Sequence, residues 1–315
     1  MNYNEIIKGA ILGHVVGDAL GVPVEFYSRA KLENHPVDRM LSYGTHHMPK
    51  GTWSDDSSMM LCTLSSIIEK QDIDFDDIMV RFSMWAKEGY MTPYGKPFGI
   101  GRTTLKSIAK FWRGEKAISC GCFSEKDNGN GSLMRILPIA LFNAFSNKEI
   151  EDKKLTICRS SALTHAHERS CVACGIYSFV LEEIVKNQNK TAISLGLNKA
   201  KKHYEHSSEI HIFNRLFMTS FSNLKCNEIK SSGYVVDTLE AAIWCLINAE
   251  SYKETVLRAV NLGGDTDTIA AVVGGLAGAL YGYDTIPKEW LDEIVDKNKI
   301  LLICDNFEKL ISKEG

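Results

Sequence analysis

At 315 residues the chain is long for one domain but within reach of one, and a hydrophobic share of 44% is enough for a large core. A formal net charge of −3 and a pI near 6.3 argue against a generic nucleic-acid or membrane-surface binder. Nine cysteines at irregular spacing, in a chain too large to need covalent staples, point to a reducing compartment.

The start, from Met1 to Gly9, has no basic run followed by an apolar core, so no signal peptide is expected. The longest charge-free apolar run, Ile269 to Tyr283, is shorter than a bilayer requires. We expect a soluble, cytoplasmic protein, by default a monomer. Residues 3 to 21 predict a helix with Gly9, Gly13, Gly17 and Gly21 on one stripe. The run after Thr268 repeats the device with Ala270, Gly274, Gly278 and Gly282. Each glycine costs a helix about 1 kcal/mol against alanine, so two stripes need a reason, and close backbone approach supplies it. The two helices are expected to pack together and bring the chain ends into contact. Pro23 ends the first helix and leaves Glu25 on a loop, where a lone glutamate ordinarily reads as solvated surface.

Residues 27 to 51 predict loop, and His46-His47 within it lacks the partners of a metal site. Ser54, Asp55 and Asp56 then stand at the mouth of an apolar helix starting near Met59. Asp74 and Asp77 predict the cap of the next helix. Residues 89 to 101, rich in glycine with Pro93 and Pro97, predict a flexible loop able to cover a site. Thr103 to Trp112 predicts helix. Asn128 to Ser132 forms a glycine-rich turn leading into a helix from Leu133, with backbone N–H groups suited to phosphate, although it fits no standard phosphate-loop fingerprint. Cys171 and Cys174, near His165 and His167, read as core packing before zinc, and Lys199, Lys201 and Lys202 as a solvated face. Asp237 with Glu240 and Ser251 with Glu254 predict the caps of two further helices. One or two helices from Pro287 to Ile311 close the chain. With no alternating strands, no linker and no repeat, the expectation is an all-α single domain over residues 1–315.

The sharpest signal is Gly263-Gly264-Asp265-Thr266-Asp267-Thr268, running straight into an apolar helix. Capping explains one acid there and leaves the other desolvated and unpaired, which is costly. Asp55 and Asp56 pose the same problem at another helix mouth. Together the clusters supply four carboxylates and several hydroxyls, an oxygen-rich inventory that suits a two-metal Mg²⁺ site.

Gly17-Asp18-Ala19-Leu20-Gly21 with Glu25, Trp53-Ser54-Asp55-Asp56-Ser57, Gly129 to Arg135 and Gly264 to Thr268 occur in that order over about 250 residues. This ordered set resembles the ADP-ribosylglycohydrolase family, including the dinitrogenase reductase-activating glycohydrolases. The resemblance implies an all-α fold with two Mg²⁺ (Mn²⁺ a possible substitute) at the base of a cleft. It implies hydrolysis of the bond between ADP-ribose and an acceptor, arginine on a modified protein being our expectation. Carried over by position, Ser54, Asp55, Asp56, Asp265, Asp267 and Thr268 match the metal ligands, and Glu25 the functional glutamate. Asn130, Gly131, Ser132 and Met134 match the loop that holds the phosphates. His165 matches a histidine lining the pocket, and Gly101 lies in the covering loop. The chain departs where the family often has Thr in place of Ser54, which keeps the hydroxyl. It also has Gly99 where several relatives carry an acid before Ile-Gly, so no proton-donating role transfers to that loop.

Two enzyme rivals fail on residues. Isoprenoid synthases expect Asp-Asp-x-x-Asp, and position 59 is Met; the His-Asp dipeptide of another metal-dependent phosphohydrolase class does not occur. A third reading, a non-catalytic member that binds ADP-ribose or blocks an ADP-ribosyltransferase toxin as an immunity protein, is opposed by the intact acids, whereas an active hydrolase that also covers a partner toxin stays open.

Overall fold

A computed structural model describes the fold over residues 1–314 of the chain. The described residues form fourteen α-helices: α1 Tyr3–Gly21, α2 Arg29–Asn34, α3 Asp55–Lys70, α4 Phe75–Glu88, α5 Arg102–Trp112, α6 Leu137–Phe145 and α7 Ile150–Ala162, then α8 Glu168–Asn187, α9 Thr191–His203, α10 Val235–Ile247, α11 Tyr252–Val260, α12 Thr266–Tyr281, α13 Lys288–Glu293 and α14 Lys297–Glu314. Isolated bridges are the only β pairing among them, so the architecture is all-α.

At the centre α1 and α12 lie antiparallel in backbone contact. A methyl on Gly9 would stand 2.2 Å from the Gly278 carbonyl oxygen, one on Gly13 2.5 Å from that of Gly274, and one on Gly17 2.1 Å from that of Ala270. The predicted stripes are therefore one interface, in which the absence of a side chain lets two helix backbones touch. Gly282 lies just outside it, capping α12 at φ 89°. By length and composition α1 could cross a membrane, but 94% of that stretch is buried inside the protein, as the core helix of this fold. Around the pair, α11 adds the Tyr252 hydroxyl, donating to the Gly13 carbonyl at 2.7 Å. At the outer end of α1, Lys8 meets Asp305 of α14 at 2.8 Å, joining the two ends of the chain.

Local chemistry explains most boundaries. Asp74 caps α4 by accepting from Asp77 N, and Ser251 caps α11 by accepting from Glu254 N. Elsewhere the structure corrects the expected elements. The 27–51 stretch contains α2, capped by Ser28, and a 3-10 turn at Gly44–His46. The glycine-rich turn leads into a 3-10 turn at Leu133–Arg135, and the α-helix starts only at Leu137, where Pro138 suits a first turn that needs no N–H. Asp237 caps nothing: α10 starts at Val235, Asp237 accepts from the Ser232 hydroxyl, and Glu240 pairs with Arg215 at 3.1 Å. Lys199 is no solvated residue either, because Glu182 and Glu183 of α8 draw it inward at 2.6 and 3.2 Å. Cys171 and Cys174 pack in the interior, away from any metal-competent group found among the described residues.

Because a methyl on Gly278 would lie 1.8 Å from the Gly9 carbonyl oxygen, Gly278→Ala is expected to cost about 3 kcal/mol in urea unfolding. The same change at Gly101, whose nearest neighbour would be 4.0 Å away, is expected to stay within about 0.5 kcal/mol.

Candidate active site

The end of α1 and the starts of α3 and α12 converge on one floor. Asp18, in the last turn of α1, is fully buried and accepts from Ser54 N and Ser57 N at 3.0 Å and from the Ser57 hydroxyl at 2.6 Å. One carboxylate thereby caps the start of α3 from outside that helix and sets the height of Asp55 and Asp56. The glycine stripe ends at the same point: a methyl on Gly21 would lie 2.3 Å from the Asp267 Cα. Ligand-type oxygens of Asp18, Asp56 and Asp267 lie within 4.8 Å of one another. The Thr268 hydroxyl reaches Asp56 at 3.2 Å, and the Ser54 hydroxyl reaches it at 3.2 Å, so both hydroxyls face this acid group. Asp265 accepts from the Asn130 side-chain amide at 2.6 Å, which ties the acidic floor to the glycine-rich turn.

Glu25 is brought in by backbone pairing. Phe26 N donates to the Gly264 carbonyl at 2.7 Å and Gly264 N to the Tyr27 carbonyl at 2.9 Å. Glu25 is thus buried rather than solvated, its Oε2 against His46 Nε2 and its backbone carbonyl accepting from the Thr45 hydroxyl at 2.7 Å. A second group of close donor atoms combines Glu25, His46 and Asp267.

Above this floor opens a cavity of about 850 Å³. Glu25, Asp55, Asp265, Asp267 and Thr268 line its base, while Gly101, Asn130, Gly131, Met134 and His165 line its walls. Ser132 does not reach the cavity; it is fully buried behind the turn, where its oxygen accepts from the Ser161 hydroxyl at 2.9 Å. Ser54 and Asp56 lie beneath the lining. The covering loop touches the floor at Gly99, where an added methyl would stand 2.2 Å from Asp55 Oδ1, so this loop position has no room for an acidic side chain. Three contributors were not named as site residues from the sequence. Asp18 is an acid inside an apolar helix, and that oddity alone was a usable signal. His46 had no spacing signal. Arg29 binds the carbonyls of Leu262, Cys226 and Ile229 at 2.8, 2.5 and 2.6 Å and clamps the loop before Asp265 against the cavity edge.

The electrostatics of the floor are severe. Burial first, then repulsion from neighbouring acids, pushes Asp55, Asp56 and Asp267 well above the usual carboxylate range. Burial pushes Asp18 up to about 6 against its serine hydrogen bonds, and Asp265 rises despite Asn130. No lysine or arginine pairs with these five acids among the described residues. Such a donor set, all oxygen and short of positive charge, could hold metal ions.

Comparison with known proteins gives the family. The profile of the ADP-ribosylglycohydrolase family matches residues 1–315. An ADP-ribosylarginine hydrolase, Tri1, from Serratia proteamaculans is 32% identical over 308 residues, covering 98% of this chain and 80% of the relative. An ADP-ribosyl-[dinitrogen reductase] glycohydrolase from Rhodospirillum rubrum is 29% identical, covering 91% and 89%. A solved ADP-ribosylglycohydrolase-related protein complex superposes with a TM-score of 0.82 at 27% identity over 98% of each chain. Fold and site define an all-α hydrolase with an acidic cleft. The chain belongs to the ADP-ribosylglycohydrolase family.

Two outcomes test the electrostatics. In chelator, Asp267→Asn is expected to raise the melting temperature by about 2–4 °C, since it removes one charge from a self-repelling cluster. His14 of α1 is fully buried, and burial pushes its imidazole down from 6.5 to about 4 against the nearby Asp56 backbone. The unfolded chain therefore binds a proton that the folded one refuses, so this stability is complete above pH 6.5 and is lost as pH falls toward 4. The displacement corresponds to about 3 kcal/mol. Between pH 6.5 and 4, His14→Leu is expected to flatten the pH dependence of the unfolding free energy relative to the unsubstituted protein.

Proposed function

We propose that the chain is a Mg²⁺-dependent ADP-ribosylarginine hydrolase that removes ADP-ribose from modified proteins. The observation that carries this reading is the pairing, in one cavity, of a carboxylate floor with the Asn130–Gly131 turn, two features joined by the Asn130–Asp265 hydrogen bond. The names of the Serratia and Rhodospirillum relatives support the ADP-ribosyl group as substrate, and the former supports arginine as acceptor.

In this reading Ser54, Asp55, Asp56, Asp265, Asp267 and Thr268, with Asp18 beside them, hold two Mg²⁺, for which Mn²⁺ can substitute. Bound there, the ions would supply charge neutralisation and polarisation of the ribose hydroxyls. The protein's own groups do the remaining work. Gly131 and Asn130 offer the wall that takes the diphosphate, and Met134 supplies apolar contact. Glycosidic cleavage builds positive charge on the ribose, which the Glu25 carboxylate stabilises. His46 engages Glu25 Oε2, leaving Oε1 to hold a proton from the attacking water or the ribose 2′-hydroxyl. Burial of Glu25 at 9% exposure limits competition from bulk water. The proposed site of action is the cytoplasm, for which the nine irregularly spaced cysteines of the sequence are the argument.

The direct test is release of free ADP-ribose from an arginine-ADP-ribosylated protein, with Mg²⁺ and with chelator. Release is expected with Mg²⁺ and not with chelator, and Glu25→Gln is expected to lower kcat about a thousandfold with ADP-ribose binding retained. Undiminished turnover in Glu25→Gln would remove Glu25 from the mechanism. Binding of ADP-ribose without release would move the acceptor from arginine to another group. Neither binding nor release would favour a protein that acts by covering a toxin.

A further inference from the structure

Arg135, at the end of the 3-10 turn that follows the glycine-rich loop, is fully buried. Its Nη2 donates to the Ser160 carbonyl at 3.0 Å and to the Thr164 hydroxyl at 2.8 Å. Thr164 Oγ1 in turn lies 2.9 Å from His165 Nδ1. A guanidinium can only donate, so the Thr164 oxygen accepts from it. The hydroxyl then has one hydrogen to place, and the Nδ1 lone pair is the acceptor within reach. Burial, and after it the positive charge of Arg135, pushes the His165 imidazole down to about 3, so the ring is neutral and carries one proton. With Nδ1 accepting, that proton sits on Nε2.

The Nε2 edge faces the glycine loop. A methyl on Gly131 would stand 2.7 Å from His165 Cε1 and 3.3 Å from Nε2, and one on Gly129 3.6 Å from Nε2. The backbone that carries the ring is pinned. Cys122 N donates to the Thr164 carbonyl at 3.0 Å, Ala166 N donates to the Cys122 carbonyl at 2.7 Å, and the Ser107 hydroxyl donates to the Thr164 carbonyl at 2.9 Å. The ring's place and direction are thus set by the protein's own backbone.

We propose that the Arg135–Thr164 relay holds His165 as its Nε2–H tautomer, a fixed hydrogen-bond donor for an anionic oxygen of the ligand at the Gly129–Gly131 loop. That the anion is the diphosphate of ADP-ribose rests on the function proposed above. Arg135 and Thr164 are positioning residues, and His165 touches the ligand. A neutral donor takes a phosphate oxygen without setting a second cation beside Arg135. It also explains why Arg135 is buried with Nε and Nη1 unpartnered among the described residues: its task is to orient Thr164 rather than to meet the ligand.

The test is ¹⁵N NMR of the full chain with labelled histidine, His165 being assigned by the signals lost in His165→Gln. The expected spectrum shows His165 Nδ1 unprotonated and Nε2 protonated. Thr164→Val is expected to shift that tautomer balance and to raise the ADP-ribose dissociation constant about tenfold. Thr164→Ser, which keeps the hydroxyl, is expected to restore both, with affinity within about twofold. A protonated Nδ1 in the unsubstituted protein overturns the proposal even if the variants do not fold, and so does an unchanged tautomer in folded Thr164→Val. Failure of ADP-ribose to bind the unsubstituted protein would instead overturn the assigned ligand, leaving the spectrum to decide the tautomer.

Discussion

The backbone contact between α1 and α12 is the constraint on which the rest depends. Two helices approach this closely only where one side or both lack side chains, and the resulting contact leaves little freedom to slide or rotate. Asp18 lies one residue after a contact glycine of α1, and Asp267 meets another, Gly21, directly. The spacing between these two acids is therefore set by the glycine contact and not by any attraction between them. They repel each other, and the packing of an entire core holds them in place.

That arrangement stores an electrostatic imbalance at the base of the cavity. Five aspartates are taken from water without cationic side chains to offset the cost, and their raised protonation equilibria express it. A protein selected for stability alone would have replaced some of them. Stability and site thus pull in opposite directions at Asp267, as functional sites often require. The wall opposite follows another logic. There Arg135, Thr164 and His165 form a hydrogen-bonded series that runs through Arg135 Nη2, in which the charge stays buried and only a neutral edge reaches the cavity. Floor and wall are joined by Asn130, which touches Asp265 and Thr238 at 2.6 and 2.9 Å, so displacement of either side would be felt by the other.

Much of this was legible in the chain itself. Glycines at every fourth position carry their meaning locally, because a helix with that stripe is costly unless a partner helix occupies it. Paired acids before an apolar run are equally self-announcing, since capping accounts for only one of them. Helix starts at Asp74 and Ser251 follow from side chains that satisfy backbone N–H groups three residues away. The errors have a common origin in contacts that are distant in sequence. Asp237 has the spacing of a cap, but Ser232 claims it and the helix starts earlier. Lys199 belongs to a charged run, but α8 presents Glu182 and Glu183 to it. Ser132 sits in the phosphate-loop motif, yet its hydroxyl faces Ser161 rather than the cavity.

What the sequence by itself determined is the inventory: an all-helical chain, two small-residue stripes, two acid clusters at helix mouths and a glycine-rich turn, each encoded within a few neighbouring positions. Only the tertiary structure decided which of these meet. It made Asp18 the cap of a helix more than thirty residues away, pressed His46 against Glu25, and placed Arg135 behind His165. The physical reason is range. Helix propensity, capping and glycine's missing side chain act over one or two turns, whereas a buried charge is judged by everything packed around it, and those neighbours are chosen by the fold.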